Sequence, residues 1–341
     1  MGVNLTPIIV KQTLRLGDLR GKRLAIDANA YLYQFLALIR TPDGTPLQDA
    51  QGRITSHLTG LIYRTTRLIH DYRIHPVFVF DGRPPRLKRP QLTRRRAVRA
   101  KATREWRAAV DAGDVATAFS KAVMTSRLTR TMVDEVRRVL TFLGIPSVQA
   151  PSEAEAQAAY MAAQGAVWSA SSKDYDTLLF GTPRLVRFLT ISGTEYLPSR
   201  GVARPLQPEL IDLQVLLQHH GLTREQLLDV AILIGTDFNP GVKGLGPKRS
   251  LKLIQTHGAL EHLPSTVQAQ LTNDVQAVRR LFLRPATTDA YTVEYGALDA
   301  AALYRFLCDE RDFSRPRVET AVRRMRAFYD DTQTGLDAWL D

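Results

Sequence analysis

With a single cysteine in 341 residues, Cys308, the chain has neither a disulfide framework nor a thiolate metal site. Within AALYRFLCDE that cysteine reads as a small buried hydrophobe. Long apolar runs are missing too, since nothing approaches the roughly 18 residues of a membrane span. The start, MGVNLTPIIV, has no basic flank ahead of an apolar stretch and does not read as a secretory signal. These absences predict an intracellular protein with no membrane partner. Acidic charge is scarce: 34 Asp and Glu face 46 Lys and Arg, a formal net charge of +12. Such a surplus points to a polyanionic partner and says nothing about fold. No internal repeat or low-complexity segment is present, and 44% hydrophobic content suits one large core or two modest ones.

The few acids are placed unevenly. Asp27 closes RLAID, Asp81 closes HPVFVFD, and Glu153 and Glu155 open a helix after GIPSVQAPSE. Asp174 and Asp176 follow AVWSASSKDYD, and Asp237 follows DVAILIGTD. In an open α/β sheet the strand carboxyl ends form one rim, and ligands bind beside it. Acids gathered there repel one another unless cations intervene. Oxygen-only ligation favours hard ions such as Mg²⁺ or Mn²⁺. Metal-assisted phosphate chemistry is the expectation.

Each acid also has a plainer role. A lone acid at a strand end, such as Asp27 or Asp81, usually caps a helix or turn. Ser152-x-x-Glu155 is a capping box in which Glu155 would bond back to the Ser152 amide. Asp174-x-Asp176 puts two carboxylates on one side of an extended strand end, where no cap explains them. Asp237, after an apolar run, is expected to be nearly buried and in need of a cation or several donors. The joint pattern outweighs these separate roles. Two metal ions about 4 Å apart can activate water and stabilise the leaving oxygen of a phosphodiester.

Residues 1–81 read as an extended start followed by a βαβ-like unit. Residues 82–131 break that pattern with GRPPRLKRP and then an arginine-dense helix without an apolar stripe, an insertion standing off the body. Lys88 and Arg95 lie seven apart there and share a face if the segment is helical. From Met132 the α/β alternation resumes, with LVRFLTI and TEYLPS as short strands and 208–260 helical. GVKGLGPKRS joins two of those helices. Gly244 and Gly246 permit close backbone approach to phosphate, and Lys243, Lys248 and Arg249 add charge. It lacks the GK[ST] ending of a nucleotide loop, which argues against ATP. In the tail, a helical turn would set Leu336 and Trp339 on one side, with Gln333 and Leu340 beside them, as an anchor for a partner groove.

The segments AIDANAYLYQFL, TSHLTGLIYRT, VFVFDGRPPRLK, GIPSVQAPSEAEAQAAYMA, SSKDYDTLLFG and LIGTDFNPGVKGLGPKRSLKLI follow in that order. On these the chain resembles the flap endonucleases of the structure-specific 5′-nuclease superfamily, in their archaeal form, over nearly its whole length. The resemblance implies an α/β, PIN-like 5′-nuclease fold with a twisted, mostly parallel sheet flanked by helices. It implies one nuclease domain over 1–331, with a helical arch at 82–131 and a helix–two-turn–helix motif at about 225–260. Residues 332–341 would be a tail that binds the sliding clamp, PCNA.

The same resemblance assigns Asp81, Glu153 and Glu155, with Asp27 nearby, to one Mg²⁺ and Asp174, Asp176 and Asp237 to a second, in part through water, with Mn²⁺ able to substitute. Lys88 and Arg95 would steady the scissile phosphate, and Tyr33 would stack on a base near the cut. Gly2, once Met1 is removed, would place a free amine near the site. Arg40, Lys121 and Arg127 join Lys243, Gly244, Gly246, Lys248 and Arg249 as expected DNA contacts, with K⁺ at the helix–two-turn–helix. Two departures stand out. DVATAFSKAVMTSRLTR offers only Lys121, Arg127 and Arg130 where the family is richer in basic residues. The clamp box ends in Trp339-Leu340 where two aromatics are commoner.

The implied activity is hydrolysis of DNA at single-strand/duplex junctions, as a 5′ flap endonuclease and 5′–3′ exonuclease, in Okazaki-fragment maturation and repair. The expected setting is the cytoplasm or nucleoid of an archaeon, as a monomer on branched DNA. The rivals are a Holliday-junction resolvase or 5′ exonuclease of the same superfamily, an RNA-cleaving nuclease, and a clamp-tethered adaptor without catalysis.

Overall fold

A computed structural model of the chain describes residues 2–41, 43–189, 194–197, 202–271 and 274–337, with 194–197, 202–205 and 332–337 as backbone alone. The strands are β1 (Gln12–Thr13), β2 (Arg23–Asp27), β3 (His75–Phe80), β4 (Ser147–Gln149), β5 (Ser169–Ser171), β6 (Arg184–Arg187), β7 (Thr194–Leu197), β8 (Val202–Pro205) and β9 (Glu209–Asp212). The helices of the first half are α1 (Ala28–Leu38), α2 (Ser56–Tyr72), α3 (Arg89–Asp111), α4 (Val115–Val123), α5 (Arg130–Phe142) and α6 (Ala154–Ala163). Those of the second half are α7 (Asp176–Leu179), α8 (Leu213–His220), α9 (Arg224–Ile234), α10 (Pro247–His257), α11 (Ser265–Gln268), α12 (Val275–Leu283), α13 (Ala300–Tyr304) and α14 (Arg315–Asp337).

Seven strands form the main sheet in the order β1-β9-β6-β5-β2-β3-β4. Every pairing from β6 to β4 is parallel, while β9 joins β6, and β1 joins β9, antiparallel. The sheet is thus mixed but mostly parallel, with helices on both faces. Strand alternation sorts the core into two layers. Leu24, Ile26, Phe78 and Phe80 face α1, α2, α5 and α14, while Ala25, Val77 and Val79 face α6. A third apolar cluster joins the N-terminal segment to α7, α9, α10 and α12.

Chain order runs outward from β2 to β3 and β4, then returns to β5 on the other side of β2. That reversal creates a crevice at the carboxyl ends of β2 and β5, where such sheets bind ligands. The expected strand LVRFLTI is β6, and TEYLPS is β7. The antiparallel strand β9 departs from expectation, because 208–260 reads as helical.

Residues 89–123 stand off the body as two packed helices. In α3 only Ala102 and Ala109 are buried, and in α4, which packs against it, only Ala118 and Ala122 are. Most of the arginines of α3 are exposed, Arg95 turning towards Asp237. The tail residues Gln333 and Leu336 continue the backbone of α14, whereas Trp339 and Leu340 lie outside the described residues. Among the described residues no helix is long and apolar enough to cross a membrane.

Candidate metal centre and nucleic-acid interface

Asp27 is the last residue of β2 and also the N-cap of α1, accepting from the Ala30 amide at 3.0 Å. Capping and membership of the pocket therefore coexist in one side chain. Asp81 follows β3 directly. It accepts from the Ala154 amide at 2.8 Å and from Asn29 at 2.7 Å, so it ties three neighbouring strand ends together. Here the capping-box expectation fails. Glu153, not Ser152, is the N-cap of α6, and the Ser152 hydroxyl bonds the Arg83 carbonyl instead. Asp81 has taken over the capping role, which lets Glu155 turn inward. Glu155 accepts from Ser172 at 2.6 Å and from Thr177 at 3.0 Å.

A second correction concerns Asp174 and Asp176. Strand β5 ends at Ser171, so the two acids do not share a strand edge: Asp174 sits in the turn and Asp176 begins α7. Asp176 accepts from the Val3 amide at 2.7 Å. Asp237, likewise, comes off helix α9 and the bend after it, not off a strand. It is 8% exposed, as a residue after an apolar run should be.

The insertion that carries α3 reaches into this pocket. Lys88 bonds Glu153 and lies 3.9 Å from Asp237, while Arg95 meets Asp237 at 2.9 Å. Gln91 also bonds Asp237. Lys88, Gln91 and Arg95 are spaced three and four apart, the spacing of one helix face. That periodicity is present in the sequence, and it finds Gln91 as well as the two cations. Asn29, Ser172 and Thr177, which orient the acids, carry no sequence signal beyond lying near an acid in the chain, and Val3, whose amide bonds Asp176, has not even that.

The carboxylates sense each other. Burial, then the charge of Asp81, pushes Asp27 up to about 8 from an ordinary value of 3.8. Burial, with Asp237 and Asp174 adding repulsion, pushes Asp176 up to about 7 against the Val3 hydrogen bond. Burial, followed by Asp174, Asp176 and Asp27, holds Glu155 well above the usual range. Burial also raises Glu153, against the pull of Lys88. Burial works against the charge on Lys88, but Glu153, Asp81 and Asp237 outweigh it and hold its ammonium protonated. All seven expected acids thus lie within one electrostatic neighbourhood. Among the described residues, no three of them close on a common point able to hold an ion unaided. The donor set still fits hard cations, because it is oxygen-only and burial with mutual repulsion disfavours the charged form of Asp27, Glu155 and Asp176, a penalty that a bound cation would offset.

Gly2 lies against this pocket: a Cβ added there would come within 2.6 Å of an Asp176 oxygen. Tyr33 is half-buried on α1. Arg40 directs its donors into the protein, to the Leu36 and Gly44 carbonyls and the Ser126 hydroxyl, and so ties the end of the arch to α1. Lys121 pairs with Glu105 across the arch at 2.8 Å, and Arg127 is exposed. Lys243, Lys248 and Arg249 are exposed around the N-terminus of α10. Gly246 caps that helix with no side chain, Gly244 has φ 83°, and nothing crowds either glycine. The first amides of α10 therefore face open space flanked by cations, a geometry suited to phosphate.

Residues 1–102 match the XPG N-terminal domain and residues 144–237 the XPG I-region. The chain is 45% identical over 339 residues to flap endonuclease 1 of Archaeoglobus fulgidus, spanning 99% of this chain and 100% of that one. It is 49% identical over 326 residues to flap endonuclease 1 of Caldivirga maquilingensis, spanning 94% and 93%. Among solved structures, flap endonuclease-1 from Methanococcus jannaschii superposes with a TM-score of 0.77 at 38% identity, covering 97% of this chain and 100% of that one.

Proposed function

Because the chain belongs to the flap endonuclease 1 family of XPG-type nucleases, structure-specific enzymes that hydrolyse DNA, we propose how its own residues divide that work. The observation that carries the proposal is the meeting of seven carboxylates from separate elements at one sheet rim, with Lys88 and Arg95 of the arch inserted among them. Asp27, Asp81, Glu153 and Glu155 hold one Mg²⁺ and Asp174, Asp176 and Asp237 a second, with Mn²⁺ as a substitute. Bound there, divalent cations supply an activated water and charge stabilisation for the leaving oxygen.

The protein's own groups supply the rest. Lys88 and Arg95, which reach the pocket and pair with Glu153 and Asp237, are placed to contact the scissile phosphate. Their charge then opposes the charge that develops on it. Asn29, Ser172 and Thr177 keep Asp81 and Glu155 oriented. Tyr33 stacks on a base beside the cut, and Gly2 brings the chain's amine to the same pocket. Residues 82–131 act as the arch over the 5′ strand. The α9–α10 turn grips duplex backbone, with K⁺ as an added ligand there, through Lys243, Lys248, Arg249 and the amides at Gly244 and Gly246. Lys121 and Arg127 line the strand's path. Arg40 is a positioning residue for the arch, since its donors are already engaged. The tail, through Gln333, Leu336, Trp339 and Leu340, tethers a monomer to PCNA during Okazaki-fragment maturation and repair.

A substrate panel tests this directly. Double-flap DNA should be cut faster than nicked duplex, an intact Holliday junction or single-stranded RNA, and only with divalent metal. Preference for the four-way junction would move the assignment to a resolvase.

A further inference from the structure

Between the arch and the sheet rim lies a cavity of about 360 Å³ that the carboxylate site does not account for. One end reaches Asp27, so the cavity is continuous with the proposed cutting site. Its walls come from Tyr31 and Gln34 of α1, Phe119 of α4, and Phe188 just past β6, and the lining is mostly apolar. An apolar slot is unexpected beside a centre that handles phosphate under an arginine-rich helix. In a nucleic-acid substrate the apolar, flat component is the base, and only an unpaired base offers both faces.

Phe188 supplies the second observation. Its backbone is left-handed, with φ 58°, a region that bulky residues avoid. The surroundings hold it there. The guanidinium of Arg187 stands 4.4 Å from the Phe188 ring centre and 3.9 Å from that of Tyr175. Arg187 is itself fixed by the Lys173 carbonyl at 3.0 Å and the Glu209 carboxylate at 3.1 Å. Asparagine or glycine would occupy this backbone with less strain. An aromatic ring kept in a strained position, backed on one side and bordering a cavity on the other, is the arrangement found where strain serves a site.

We propose that this cavity binds one unpaired nucleobase of the cleaved strand, with Phe188 and Phe119 as its stacking surfaces. The seated base fixes the register of the single strand relative to Asp27. The inference rests on the flap-nuclease reading and adds a specificity element to it. Aromatic stacking tolerates any base, so the slot sets position without setting sequence. Gln34 and Ser120, two of several polar residues in its lining, offer both donors and acceptors to whichever edge is presented.

The test is an abasic walk. Flap substrates carrying one abasic nucleotide at successive positions around the junction are cut by the wild-type chain, by Phe188→Asn and by Phe119→Ala. Asparagine suits the left-handed backbone, and Phe119→Ala reports independently should Phe188→Asn misfold. The wild type should lose about tenfold in single-turnover rate at one abasic position, the scale of one stacked base. Each variant should lose about as much on the intact flap and no more at that position, because the two losses are one interaction. Losses that multiply, or variants that cut all flaps as the wild type does, would overturn the slot. Failure of the wild type to cut any flap would remove the nuclease reading as well, so the two failures are distinguishable.

Discussion

At the scale of the residue, the pocket stores like charge, and pH exposes it. Asp27 titrates near 8 and Asp176 near 7 in the folded protein, against 3.8 for a free carboxylate. Between those values the native state keeps protons that the unfolded chain has already released. Stability of the metal-free protein therefore falls as pH rises from about 4 to about 8. Mg²⁺ binds the deprotonated form and should reverse the trend. Thermal melts across that range, in chelator and in Mg²⁺, should diverge with rising pH; parallel profiles would mean that the acids do not share a metal pocket. Lys88→Ala and Arg95→Ala should each lower the single-turnover cleavage rate about 10²-fold with little change in flap affinity. A comparable drop in binding would instead mark them as general DNA-gripping residues. Asp27, Asp81 and Asp237 stand out in the sequence because they follow apolar runs, and Lys88 and Arg95 because they repeat at helical spacing, whereas Glu153, Glu155, Asp174 and Asp176 show only as closely paired acids. The partners that hold them were not legible, since a serine or threonine bonding across the fold has no local signature. The Ser152-x-x-Glu155 pattern misleads for a related reason. Asp81, which follows a different strand, takes the Ala154 amide and with it the cap.

At the scale of the element, the α9–α10 turn and the two-helix insertion should do separate work. Lys248→Ala or Lys243→Ala should weaken duplex binding regardless of sequence and lower the slope of log affinity against log salt by about 1 for each phosphate left unneutralised. Fluorescence anisotropy at several salt concentrations measures this, and an unchanged slope would remove that lysine from the interface. Helix α9 is itself anchored to α12 by the largely buried Asp229–Arg279 pair at 2.6 Å. Arg279→Ala leaves Asp229 buried without its cation and should cost about 3–5 kcal/mol, read from denaturant unfolding. At this scale the sequence was informative wherever one pattern ran long enough. RLAID and HPVFVF carry apolar runs of strand length and become β2 and β3, and the arginine-dense segment becomes the exposed helix α3. Strand β9 was illegible: its four residues run straight into α8, and it exists only because β1 and β6 pair with it.

At the scale of the whole molecule, the net charge of +12 and the acidic pocket are complementary. On the proposed reading, the basic surface would draw in DNA and the acidic pocket would hold metal where the strand is cut. The excess of basic residues was visible in the composition, whereas the order of the sheet was not, because strand neighbours depend on residues far apart in the chain. The most direct test is product mapping on an end-labelled double-flap DNA, with Mg²⁺ or with chelator, using Asp176→Asn as the control. Asparagine keeps the acceptor for the Val3 amide but removes the charge. The expected result is a single metal-dependent cut at the junction, at least ~10²-fold slower in the variant, with junction binding retained. Tight binding without cleavage under any divalent metal, or equal cutting by the variant, would contradict the assignment of the seven acids to a metal-dependent nuclease centre.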